Sequence, residues 1–172
     1  LQFAQDWAKR LKWPLYCFIA VAFWNMLGAG VFGFLINPPL ALFYIQGLNT
    51  TAVHAHTALF GVYGFLALGF VWLVALYIYK DKNFDDTLMK IGFWALNAGL
   101  LLMVLISLLP VGILQSFAAI DVGMWYARSA EFLQKDSLYG LRWARIIGDT
   151  IFLVGSVCFL LQIVRMIFSR AK

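Results

Sequence analysis

Residues 51–79 read TAVHAHTALFGVYGFLALGFVWLVALYIY, and the architecture of the chain is legible here first. The stretch contains no Asp, Glu, Lys or Arg. A helix of roughly 20 apolar residues crosses about 30 Å of hydrocarbon, so the run is long enough to span a membrane. On either side of it, three further runs have the same character. The predicted spans cover residues 14–36, 53–79, 91–117 and 141–168. In lipid only helices and closed barrels satisfy every backbone polar group. The runs are continuous and lack the alternation of a barrel strand. The expected fold is therefore all-α, a polytopic transmembrane helix bundle of about four spans.

Composition agrees. Of 172 residues, 63% are hydrophobic and 12% charged. Soluble domains average about 45–50% apolar and 25% charged. No water-soluble core of this size could hide so much apolar surface. The net charge of +5 could suggest nucleic acid, but the bases sit at the ends of the apolar runs, where membrane orientation explains them. Nucleic acid is therefore not an expected partner. Cys17 and Cys158 lie inside apolar runs and read as small buried hydrophobes.

The bases set an expected orientation. Lys9, Arg10 and Lys12 precede the first span, Lys80, Lys82 and Lys90 surround the second loop, and Arg165, Arg170 and Lys172 end the chain. Residues 37–52 carry no charge. Both ends of the segment and the middle loop are thus expected in the cytoplasm, with residues 37–52 and 118–140 outside. The second outer loop holds Arg128 and Lys135, accompanied by Asp121, Glu131 and Asp136. The acids Asp121 and Glu131 read as solvated. The start LQFAQDWAKR has no Met and no signal-peptide layout, so the segment is expected to belong to a longer polypeptide.

Local signals add detail. Pro14 is expected in the first turn of the first span, and Pro110 is expected to kink the end of the third. Pro38-Pro39 and Gly47-Leu48-Asn49 mark breaks. Thr50 and Thr51 are the expected caps of the second span. Gly28, Gly30 and Gly33 in the first span, and Gly61, Gly64 and Gly69 in the second, allow close approach of a neighbouring helix or a flat ring. Asn25 and Asn97 sit mid-span, where hydrogen bonding between helices is the simpler reading.

The chain has two histidines, His54 and His56. Ionisable groups at membrane depth are costly and usually functional. Residues i and i+2 on a helix differ by about 200°, so the imidazoles point to opposite flanks. They cannot share one ion as i, i+4 histidines do. They could each ligate a separate cofactor, and neutral imidazole is a common axial ligand for haem iron.

The run GLNTTAVHAHTALFGVYG (47–64) resembles the haem-binding segment of nitric oxide reductases, within the haem–copper oxidase superfamily. The blocks FWNMLGAGVFGFLINPP (23–39), ISLLPVG (106–112), WYARSAEFL (125–133) and LRWARIIGDTIF (141–152) extend the likeness over nearly the whole chain, in the order of the single-chain, quinol-oxidising branch. The resemblance implies a larger fold of 12–14 helices of which this segment is the C-terminal part. It implies that His54 ligates a high-spin haem b and His56 a low-spin haem b. It implies reduction of NO to N2O with electrons from quinol, in a bacterial inner membrane. A non-haem iron is also implied, yet no further His is present to hold it. Its ligands are expected upstream in the same polypeptide or on a companion chain.

The same likeness raises Asp149 as an acceptor for a quinol proton, with Trp143 as a wall for the ring. Arg142 and Arg145 could hold haem propionates or lipid phosphates. Thr57 could bond a backbone carbonyl, and Phe60 and Tyr63 could pack on haem faces. Two other readings compete. A haem–copper terminal oxidase would use copper in place of the non-haem iron. A non-enzymatic membrane anchor or transporter subunit would leave the His-x-His pair unexplained.

Overall fold

The computed structural model describes residues 2–79 and 84–169, with side chains from Lys9 onward. Lys80, Lys82, Arg170 and Lys172, used above for orientation, lie outside the described residues. No strand occurs among the described residues. Four helices are long and apolar enough to cross a membrane: Lys9–Ile36, Asn49–Ile78, Asp86–Asp121 and Asp136–Phe168, the first to fourth spans. Each begins a turn or more before its apolar run, because helical hydrogen bonding does not stop at the edge of the hydrocarbon. Only 22% to 44% of each span's most apolar window is buried within the chain. So much outward-facing apolar surface requires an apolar surrounding.

The spans pack as two pairs. The first lies along the second, and the third along the fourth. Trp13, Trp24, Trp72, Phe65, Leu96 and Phe159 belong to the core that joins the pairs. At one end, Lys12 pairs with Asp86 at 2.8 Å and Trp13 donates to the same carboxylate at 2.7 Å. Asp85 caps the third span by accepting from the backbone N–H groups of Thr87 and Leu88, and it pairs with Arg165 at 2.8 Å. Within the bilayer, Trp24 Nε1 donates to Asn97 Oδ1 at 2.9 Å. Asn97 thus makes the bond between helices expected of it. Asn25 is exposed on the first span.

The local expectations at Pro14, Thr50 and Thr51 need correction. Pro14 does not open the first helix, which already runs from Gln2 and takes Pro14 into its interior. At Pro110 the helix of the third span changes form. A π-helical turn, Val104–Leu108, precedes it, and the α-helix then continues over Leu109–Asp121. A proline ring clashes with the carbonyl four residues back in an α-helix, and the wider π turn relieves that clash. Thr50 and Thr51 do not cap the second span, because its helix starts earlier, at Asn49. Thr51 Oγ1 instead donates back to Ile45 O at 3.1 Å.

Two more π-helical segments, Asn25–Phe32 and Leu59–Gly64, interrupt the first and second spans. The first of them faces the helix that carries the histidines. The glycines explain the closeness of approach. A Cβ on Gly28 would lie 2.6 Å from Thr57 Oγ1, and one on Gly61 would lie 2.6 Å from the Trp24 side chain. Small residues here serve helix packing.

Candidate functional site: two histidines on one membrane helix

His54 and His56 sit in the α-helical segment Asn49–Ala58, just before the π-helical turn. Both are half-buried. His54 faces the first span, where its Nδ1 bonds to Gly28 O at 2.8 Å. Gly33 leaves room beside this ring: a Cβ there would come within 3.1 Å of His54 Cε1. His56 faces the fourth span. Its Nδ1 bonds to Ala52 O, one turn back, at 2.8 Å, and its Nε2 meets Arg145 Nη2 at 3.2 Å.

A carbonyl oxygen can only accept, so each Nδ1 donates. In the neutral ring that leaves the lone pair on Nε2. For His56 the point is made twice, since a guanidinium can only donate and therefore needs a lone pair at Nε2. An imidazole whose Nδ1–H is anchored to a carbonyl presents Nε2 to a metal in a fixed orientation. The donor chemistry and ring anchoring thus fit axial ligation on both flanks of the helix.

A cavity of about 410 Å³ adjoins His56, walled by Phe60, Leu100, Met103 and Phe152 and edged by Arg145 and Asp149. Phe60 and Phe152 meet edge to face, with ring centres 4.5 Å apart. Arg145 Nε lies 3.3 Å from Asp149 Oδ1. His56, Arg145 and Asp149 therefore form one row along a largely apolar pocket. Thr57, fully buried, donates to Val53 O at 2.7 Å and packs against Gly28, which seats the His54 flank on the first span.

The remaining sequence-derived residues lie elsewhere. Arg142 and Trp143 line a separate groove with Gln134, Asp136 and Tyr139. Arg142 donates to Leu133 O at 2.9 Å. Trp143 is 59% exposed, and so is Tyr63 at 66%. Asp121 and Glu131 are exposed. Among the described residues, no three His, Cys, Asp or Glu side chains converge to hold a metal ion by themselves.

Two residues that frame the site escaped sequence reasoning. Gln115, buried in the third span, accepts from the Asn49 N–H at 3.0 Å and donates to Ala127 O at 3.0 Å. Arg128 donates to Met124 O at 2.7 Å and to Gln46 O in the connection between the first and second spans. A signal for Gln115 was present: an amide inside an apolar run must find partners.

The chain is a four-span helical bundle that presents two anchored imidazoles on opposite flanks of one helix. The chain belongs to the family described as Cytochrome C and Quinol oxidase polypeptide I, whose model matches residues 3–151. It is 28% identical over 142 residues to a nitric oxide reductase subunit of Stutzerimonas stutzeri, a match covering 78% of this chain and 29% of that protein. The chain thus spans less than a third of the relative's length.

Proposed function

We propose that this chain is the haem-ligating C-terminal part of a membrane nitric oxide reductase. The observation that carries the reading is the pair of imidazoles on opposite flanks of one helix, each anchored by an Nδ1 bond to a carbonyl, with the Nε2 of His56 meeting Arg145 in place of a ligand. In this reading His54 is the axial ligand of a high-spin haem b and His56 an axial ligand of a low-spin haem b. Bound haem supplies an iron that changes oxidation state. A ligand helix shared by two haems keeps the distance for electron transfer short. The net reaction takes two NO, two electrons and two protons to N2O and water.

The chain's own residues have defined roles. Arg145 places positive charge beside the His56 cavity, where propionate carboxylates need it. In this reading Asp149, at the edge of the largely apolar His56 cavity, takes a proton from quinol. The non-haem iron is held by ligands upstream in the polypeptide or on a companion chain. The protein lies in a bacterial inner membrane, with the end that carries Lys12, Asp85, Asp86 and Arg165 in the cytoplasm.

A haem–copper oxidase is the second reading. The matched family's description favours it, and in this reading too His54 and His56 would be the haem ligands. The test uses the native, full-length protein. Reduced-minus-oxidised and pyridine haemochrome spectra are recorded with metal content and with NO turnover driven by quinol. Two haem b per molecule, iron without copper, and loss of the low-spin signal in His56→Ala would support the reductase. Copper at one atom per molecule with oxygen turnover would select the oxidase. No haem, or an unchanged low-spin spectrum in the variant, would sink the ligand assignment.

A further inference from the structure

We propose that Gln115 is a positioning residue for the two histidines, fixing the start of the helix that carries them, with Arg128 fixing the loop that leads into it. The inference rests on the reading that His54 and His56 ligate haem. It is carried by contacts at the opposite face of the loop, none of which touches either imidazole.

The first N–H groups of a helix have no acceptor within it. At the second span the usual remedy is absent, because Leu48 occupies the capping position and offers no side-chain bond. Thr50 Oγ1 is buried without a partner, and Thr51 Oγ1 turns back to Ile45 O. The third span supplies the cap instead. Gln115 Oε1 takes the Asn49 N–H, and its Nε2 is engaged by Ala127 O in the second outer loop. The two partners dictate which end of the amide faces which way. With 4% of its surface exposed, Gln115 has no water to substitute for either bond.

Close packing reinforces the clamp. A Cβ on Gly112, one turn before Gln115, would fall 2.4 Å from Thr50 N, so the two backbones touch at this point. At the other end of the turn Arg128 donates to Gln46 O, and Gly47 makes the turn between with a φ of 72°. Residues 46–49 are thus held on both sides. His54 follows Asn49 by five residues, about 7.5 Å along a helix at 1.5 Å per residue. A shift at the clamp therefore reaches the imidazoles with little attenuation. Ligand sites tolerate roughly 0.5 Å or 10–20° before their properties change.

The structure also contains a partial control, whose Nε2 makes no bond. Gln162, fully buried near the opposite end of the bundle, likewise accepts a loop N–H, that of Asp85, at 3.2 Å. The experiment compares Gln115→Leu, Gln162→Leu and Gln115→Glu in the full-length holoprotein. Readouts are the low-spin ferric haem resonance and hydrogen exchange over residues 49–52. Both leucine variants should lose thermal stability. Only Gln115→Leu should shift the low-spin resonance and raise exchange over residues 49–52 by tenfold or more. Gln115→Glu keeps an acceptor for the Asn49 N–H and should retain the native resonance. An unchanged resonance and unchanged exchange in Gln115→Leu would overturn the proposal, as would an equal shift in Gln162→Leu. A native protein without haem b would overturn the ligand reading itself, and the positioning role with it.

Discussion

Consider Gly148→Ala in the fourth span. A Cβ at this position would lie 2.6 Å from Met103 N and 2.9 Å from Gly99 O, both backbone atoms of the third span. Ordinary contact begins near 3.4 Å, so the deficit is about 0.8 Å. No side-chain rotation relieves it, and the spans must separate. Overpacking of this kind costs about 1–3 kcal/mol. The same helix provides the opposite case. Gly140 would place its Cβ in open space, with nothing within 4 Å. There alanine only removes the backbone freedom of glycine and should stabilise by about 0.5–1 kcal/mol. The assay is reversible unfolding of the full-length protein in mixed micelles, followed by circular dichroism. Gly148→Ala should weaken folding by about 5- to 150-fold in the equilibrium constant, since 1.4 kcal/mol is tenfold. Gly140→Ala should strengthen it. Equal effects of the two substitutions, or a neutral Gly148→Ala, would refute the close-packing account.

Other outcomes follow from single contacts. Trp24→Phe and Asn97→Leu should be coupled, because together they remove one bond inside the bilayer. The double-mutant cycle should read about 0.6–1.7 kcal/mol, and a coupling below about 0.3 kcal/mol would show the bond to be idle. Asp86→Asn loses the Lys12 pair, whose side chains are 37% and 55% exposed. It should cost under about 1 kcal/mol, and the cost should fade in high salt. A salt-independent loss would mean that the Trp13 bond to the same carboxylate carries the effect.

The spans were legible because long charge-free runs admit few interpretations. The opposite facing of His54 and His56 was legible too, since an i, i+2 spacing fixes helical phase wherever the helix sits. Arg145 and Asp149 share a face for the same reason, being four apart. Trp143 precedes Asp149 by six residues, which turns it about 120° away, and the two line different grooves. Other features could not be read locally. Gly92 and Gly99 meet Gly155 and Gly148 across the third and fourth spans, yet each pair looks like scattered small residues in its own helix. The helix start at Asn49 and the clamp at Gln115 depend on partners far away in the chain. The π turn before Pro110 leaves no mark in composition.

The cap on the second span has a consequence for how the chain is made. Asn49 receives its acceptor from a residue 66 positions later, and Gln115 in turn waits for Ala127. During synthesis the histidine helix enters the bilayer with its first turn open. It stays open until the third span and the loop beyond it have emerged. The seat of the two histidines is therefore among the last parts of this segment to be completed.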